Sequence, residues 1–349
     1  MENRKVVVMT LFGRNPDLPS VLLNSHVDVG SAVLQNWARD PWSAYKDEKG
    51  NIYGMGIQDM KSVSIQYLEA VRVLKILRNT SFERTVHLSF VPDEQINNGT
   101  LGMALFVHTP EFKAMNVGVV IDEGLACPDN KYYVFYGERS PWWVHVKCRG
   151  NAGHAAMFID DTACDKVQKV IKSFTDYRNK EQKRFKGNHC QRLGDFTTIN
   201  VTGIHGGVHS NAVPDEFTAA FDIRIPPTVN LHKFEEKIKT WCHEAGDDVT
   251  YEFLNKNTNQ KTTPTDSLWW KTFVTTLRQR NVEVLQEIFC AFSDGRFLRE
   301  AGYQVIGFSP MRNTTMVMYE RDEYLNEKIF LEGIDVYCDL IPALANLTF

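Results

Sequence analysis

Four times before residue 124, this 349-residue chain runs through apolar residues and stops at an acid. Val21-Leu22-Leu23 leads through Asn24 and Ser25 to His26-Val27-Asp28, and Ile57-Gln58 leads to Asp59. Val91-Pro92 leads to Asp93-Glu94, and Val119-Val120-Ile121 to Asp122-Glu123. Short unbroken apolar runs are what a strand covered on both faces needs, and such strands belong to parallel sheets. Between them Val63, Tyr67, Val71 and Leu74 recur at helical spacing, which predicts a helix from Asp59 to about residue 77. Residues 5–11 and 21–23 read as two adjacent strands, residues 85–91 and 117–121 as two more, with a short helix over 101–107. Alternating strands and helices predict an α/β domain with a mostly parallel sheet flanked by helices, whose functional groups collect beyond the carboxyl ends of the strands. His26, Asp28, Glu94 and Glu123 stand at such ends, and Asp59 joins them through a glycine-rich turn.

The pattern changes near residue 140. A strand over 142–148, a helix over 162–177, strands over 196–204 and 217–225, a helix over 232–243 and a strand over 249–253 make a β-α-β-β-α-β unit, the ferredoxin-like order. It reads as a domain of residues 137–256 inserted into a first domain of residues 1–136 and 257–349. The length of the chain accords with two domains.

A formal charge of −4, spread over interspersed acids and bases, gives no basic stripe for nucleic acid or a lipid surface. No stretch approaches the roughly 18 continuous apolar residues of a membrane span, and the first residues lack the apolar centre of a signal peptide. A cytoplasmic protein is expected. The seven cysteines are scattered, with no Cys-x-x-Cys pair, so reduced thiols are expected rather than disulfides or a thiolate zinc site.

An imidazole and two or three carboxylates converging on one point form a nitrogen/oxygen site of the kind that catalytic zinc occupies. A further carboxylate can serve as general base, and Asp28 is well placed to take the second ring proton of His26. The strings Ser25-His26-Val27-Asp28, Gly56-Ile57-Gln58-Asp59-Met60-Lys61, Pro92-Asp93-Glu94, Asp122-Glu123-Gly124, Gly153-His154-Ala155 and Gly307-Phe308-Ser309-Pro310-Met311 resemble those of the aminoacylase I family. That family belongs to the carboxypeptidase- and dipeptidase-type zinc amidohydrolases, and the likeness runs in order over essentially the whole chain. It implies a zinc-binding α/β domain with an inserted lid that also forms a homodimer, and hydrolysis of small N-acyl-L-amino acids. It makes His26, Asp59 and Glu123 ligands of one Zn2+, with Asp59 bridging to a second. It makes Asp28 the residue that orients His26 and Glu94 the general base. It makes His154 an oxyanion-stabilising residue supplied by the partner subunit, and Asn211 and Arg224 substrate-binding residues.

Three features depart from the family. Gln95 stands where the resemblance implies an acidic ligand, and Tyr319 where it implies a histidine. Glutamine is a neutral, weak ligand, and tyrosine would have to release a proton of pKa about 10, so the second metal site is expected to be weak or empty. The family also carries additional N-terminal residues, including helices over the sheet, which this chain lacks; part of its sheet is therefore expected to be exposed. Three readings stay open: an aminoacylase-type hydrolase, a non-catalytic binding relative, and a dipeptidase.

Overall fold

The computed structural model describes residues 5–30, 37–97, 99–187, 192–207, 209–318 and 320–348. In chain order the strands begin with β1 (Val7–Leu11), β2 (Ser20–His26), β3 (Asn51–Tyr53), β4 (Val86–Val91), β5 (Val117–Asp122) and β6 (Lys131–Glu138). There follow β7 (Ser140–Arg149), β8 (Gly153–His154), β9 (Thr198–Gly206), β10 (Ala212–Val213), β11 (Glu216–Ile225) and β12 (Val249–Lys256). The last three are β13 (Glu283–Phe289), β14 (Gln304–Gly307) and β15 (Tyr324–Asn326). The helices are α1 (Ser62–Arg72), α2 (Glu94–Asn97), α3 (Met103–Phe106), α4 (Pro110–Ala114), α5 (Ala163–Lys186), α6 (Leu231–Ala245), α7 (Leu268–Arg278), α8 (Gly295–Glu300) and α9 (Glu327–Ala345).

The chain forms two compact units. The first comprises Met1–Gly137, Lys261–Phe289 and Ser293–Phe349; the second comprises Glu138–Gln260 with Cys290–Phe292.

In the first unit a seven-stranded sheet runs β1-β4-β2-β5-β14-β6-β13. Strand β2 lies parallel to β4 and β5, and β14 lies parallel to β5. Every residue of β2 is buried, and alternation along the strand divides its side chains between two cores. Val21 and Leu23 pack into one cluster with residues of α1, α7 and α9, whereas Leu22 joins Val120 and Val305 in another with residues of α3, α4 and α8. A strand wedged between two helix layers can be apolar at consecutive positions, which is why the run needs no polar alternation.

Two expectations are corrected here. Strands β1 and β2 are not neighbours: β1 pairs antiparallel with β4, which lies between them. The turn at residues 13–19 returns the chain past one strand position, so sequence adjacency did not become sheet adjacency. Nor does Asp59 begin the helix. It occupies an extended conformation (φ −133°, ψ 90°) in the wide turn Ile57–Lys61, and α1 starts at Ser62. At the sheet's edge Val7, Val8 and Met9 of β1 are exposed.

The second unit packs α5 and α6 on an antiparallel sheet of order β12-β7-β11-β9. Numbered within the unit that order is 4-1-3-2, the ferredoxin-like arrangement. Trp142 is fully buried in its core, while Trp143 is partly exposed and donates from its indole to Asp222 at 2.9 Å. A two-stranded ribbon of β8 and β10 pairs His154 with Ala212.

The carboxyl ends of β5 and β14 meet closely behind the candidate site. A methyl group at Gly124 would fall 2.6 Å from the Ser309 backbone nitrogen and 2.8 Å from the Phe308 Cα, and neither backbone atom can yield without moving its strand. Gly124→Ala is therefore expected to destabilise the chain by about 1–3 kcal/mol, read as a lower denaturation midpoint at unchanged m-value.

Candidate functional site

The parallel register brings the ends of three strands to one line: His26 lies opposite Val91 of β4, and Leu23 opposite Ile121 of β5. The residues just beyond these ends, Asp28, Glu94 and Glu123, therefore gather round His26. The ring is fully buried. Its Nδ1 lies 2.9 Å from the Asp28 backbone carbonyl, so that nitrogen carries the proton and donates. Its Nε2 lies 2.9 Å from Asp59 Oδ1 and 3.6 Å from Glu123 Oε2. His26, Glu94 and Glu123 can also each offer one ligand atom within 4.8 Å of the others, all three being buried.

Asp28 holds His26 by a different atom from the one expected. Its carboxylate Oδ1 is 3.8 Å from the ring and is otherwise engaged. It accepts the backbone N–H of Glu94 at 3.1 Å, while Oδ2 accepts those of Gln95 at 2.9 Å and Ile96 at 3.2 Å. Those are the unpaired amides of the first turn of α2, which need acceptors. The side chain of Asp28 thus fixes the base of Glu94, and its main chain fixes the imidazole.

Asp59 is held by contacts that periodicity could not reveal. Glu323 is buried and accepts the N–H groups of Gly56 at 3.1 Å and Gln58 at 2.7 Å. Gln58 in turn donates to the carbonyls of Thr315 at 3.0 Å and Tyr324 at 2.8 Å and accepts from Val317 N at 3.1 Å. The turn that presents Asp59 is thereby fastened to residues more than 250 positions away in sequence. Behind His26, Asn24 donates to Asp122 Oδ1 at 2.9 Å and to Asp294 Oδ2 at 3.4 Å, and accepts from Ser89 at 2.6 Å. Sequence reasoning passed over Asn24, Gln58, Asp294 and Glu323; the one available signal was the polar Asn24 inside an apolar run.

So many acids buried together disfavour their own ionisation. Burial, followed by neighbouring carboxylate charge, raises Glu123 well above the usual carboxylate range, and burial raises Glu94 likewise. Asp294 is pushed up to about 7 by burial and by Asp122, and Glu323 to about 7 chiefly by burial. Burial pulls the His26 imidazole down, but hydrogen bonds to Asp59 and Glu123 outweigh it and leave it well above its ordinary value. Glu94 Oε1 is buried with no hydrogen-bond partner. An imidazole nitrogen, several carboxylates and an orphaned carboxylate oxygen are a donor set that fits one divalent cation, zinc by its mixture of nitrogen and oxygen.

Gln95 does not extend that set. Its Nε2 donates to Asp59 Oδ2 at 3.0 Å and to Glu94 Oε2 at 2.7 Å. Tyr319 lies outside the described residues.

In the second unit, His154 lies in β8 and Asn211 immediately precedes its partner strand β10, where Ala155 N donates to the Asn211 carbonyl at 3.0 Å. Both side chains are exposed. Arg224 is not in their company. It lies near the far end of β11, about 25 Å from Glu216 at the rise of an extended strand. Its guanidinium there holds the Asp222 carboxylate through Nε at 2.7 Å and Nη2 at 2.8 Å, and lies over the Phe292 ring. The fork expected to bind substrate is occupied by a neighbour.

The profile of peptidase family M20/M25/M40 matches residues 22–343. The chain belongs to that family. Within it the chain groups with aminoacylase-1 proteins: it is 47% identical over 344 residues to aminoacylase-1 of Mus musculus and 45% identical to that of Homo sapiens, each match covering 98% of this chain and 84% of the relative. A metallo-carboxypeptidase of the M20 family from Sulfolobus solfataricus superposes with a TM-score of 0.74 at 17% identity, over 97% of this chain and 88% of that one.

A cation binds deprotonated carboxylates and a neutral imidazole, and burial of the carboxyl groups together with neighbouring carboxylate charge favours the protonated forms here, so metal binding should release protons. His26, Glu94 and Glu123 are raised above their ordinary values, so affinity for zinc should fall as pH is lowered. Calorimetric titration with zinc in buffers of different ionisation enthalpy checks this through a buffer-dependent heat. His26→Ala should remove most of the bound zinc, measured by elemental analysis after dialysis.

Proposed function

We propose that this chain is a zinc-dependent amidohydrolase that cleaves N-acyl-L-amino acids to a free amino acid and a carboxylate. The observation that carries the reading is the buried group at His26: Nε2 faces Asp59 and Glu123, and the nearby Glu94 keeps one oxygen free of protein partners. His26, Asp59 and Glu123 would hold the ion. Zinc bound there would lower the pKa of a water towards about 7 and polarise an amide carbonyl.

The remaining work falls to side chains. Glu94 Oε1 takes a proton from the attacking water and delivers it to the leaving nitrogen, so that one water and one amide yield one carboxylate and one amine. Its burial suits it to both halves, because a carboxyl group raised towards neutrality can accept a proton and still return it. Asp28 keeps donor and ligand in fixed relation, through its carboxylate to α2 and its carbonyl to His26.

His154 and Asn211 would contribute in a homodimer, stabilising the tetrahedral oxyanion and binding substrate in the partner's site. What supports this is their separation within one chain from Arg224, along the length of β11. For Arg224 to bind a substrate carboxylate, Asp222 would first have to release it. The aminoacylase-1 names of the relatives favour acylated amino acids over dipeptides as substrates.

Purified protein should release methionine from N-acetylmethionine, measured by amine detection. Glu94→Gln should lower kcat by about 10²- to 10⁴-fold while zinc content stays at the wild-type level. Residual hydrolysis that survives Glu94→Gln undiminished would favour a non-catalytic relative with a contaminating activity.

A further inference from the structure

We propose that Gln95 is a positioning residue whose carboxamide clamps Asp59 to Glu94 and closes the site to a second cation. The proposal rests on the reading of Glu94 as general base, and on a geometry that does not depend on it. Both hydrogens of the Gln95 amide are committed: Nε2 reaches Asp59 Oδ2 at 3.0 Å and Glu94 Oε2 at 2.7 Å. An amide nitrogen has no lone pair to offer a metal, so the atom that lies between the two carboxylates can only donate.

The other oxygens of the same two acids do not meet the Gln95 amide. Asp59 Oδ1 is 2.9 Å from His26 Nε2, and Glu94 Oε1 has no partner. Each carboxylate therefore has one oxygen tied to the amide. A cation placed between Asp59 Oδ2 and Glu94 Oε2 would have to expel the amide and break both of its hydrogen bonds. The Gln95 N–H is anchored on Asp28 Oδ2 at 2.9 Å, and that carboxylate also receives the amides of Glu94 and Ile96.

Two consequences distinguish this clamp from a residue that merely fills space. The number of ions is set by a neutral donor, and the carboxylate plane of Glu94 is set by a hydrogen bond rather than by a metal. Without the clamp Glu94 is free to rotate, which affects turnover more than substrate affinity.

The experiment is a Co2+ titration of the metal-stripped full chain, followed by visible absorption, on wild type, Gln95→Glu and Gln95→Leu, with kinetics on N-acetylmethionine. Wild type should saturate at one equivalent. The near-isosteric Gln95→Glu, which replaces the donor by a second acceptor, should take up a second equivalent with a changed spectrum. Gln95→Leu should stay at one equivalent and lose about 10- to 100-fold in kcat with KM little altered.

Saturation of wild type at two equivalents would overturn the proposal, as would a Gln95→Glu that stops at one, since something other than the amide would then close the site. An unchanged kcat in Gln95→Leu would overturn the clamping of Glu94. The titrations need no turnover and no leucine variant: a wild-type chain that stops at one cobalt, gains a second in Gln95→Glu and hydrolyses nothing supports the closure and removes the amidohydrolase reading alone.

Discussion

The cleft end of the larger sheet is organised by one electrostatic demand: a buried imidazole surrounded by more carboxylates than it can neutralise. Asp59 and Glu123 contact His26, Glu94 stands beside them, and Asp122 and Asp294 lie one layer behind on Asn24. Such a concentration of acid is costly in a folded protein unless the acids are protonated or a cation is present. The raised carboxyl groups and the unpartnered Glu94 oxygen are two expressions of the same imbalance. The surrounding hydrogen bonds make sense as the means of keeping these groups together against their repulsion.

Parallel strands make the gathering possible. Because β2, β4 and β5 end on one line, residues drawn from positions 26, 94 and 123 need little loop to meet. Asp59 needs more, and the chain provides it by fastening the turn Ile57–Lys61 to Glu323 and to the backbone at residues 315, 317 and 324. The cores on either side of β2 hold the frame, and the polar contacts hold what the frame cannot reach.

The apolar runs and their terminal acids were legible because burial on two faces leaves a direct mark on the sequence: Val21, Leu22 and Leu23 run consecutively, as a strand covered on both faces allows. The convergence of His26, Glu94 and Glu123 followed from that one inference. What sequence did not disclose was pairing at a distance. Strand β1 joined β4 instead of β2, Asp59 sat ahead of its helix rather than in it, and Glu323 reached back across the chain to Gly56 and Gln58. No local pattern encodes which buried acid will meet which backbone amide. Nor could residue type reveal that Asp28 orients His26 by its carbonyl, or that Arg224 is engaged by Asp222 two residues before it.

The double duty of Asp28 divides along the line between main chain and side chain. The atom that orients the imidazole is a peptide oxygen, which every amino acid possesses; the atoms that seat α2 belong to a carboxylate, which few do. Mutation can therefore reach one task and not the other. At this position the orientation of the histidine is protected by the backbone itself, whereas the placement of Glu94 is exposed to every change of residue, so that drift here would shift the acid before it shifted the imidazole.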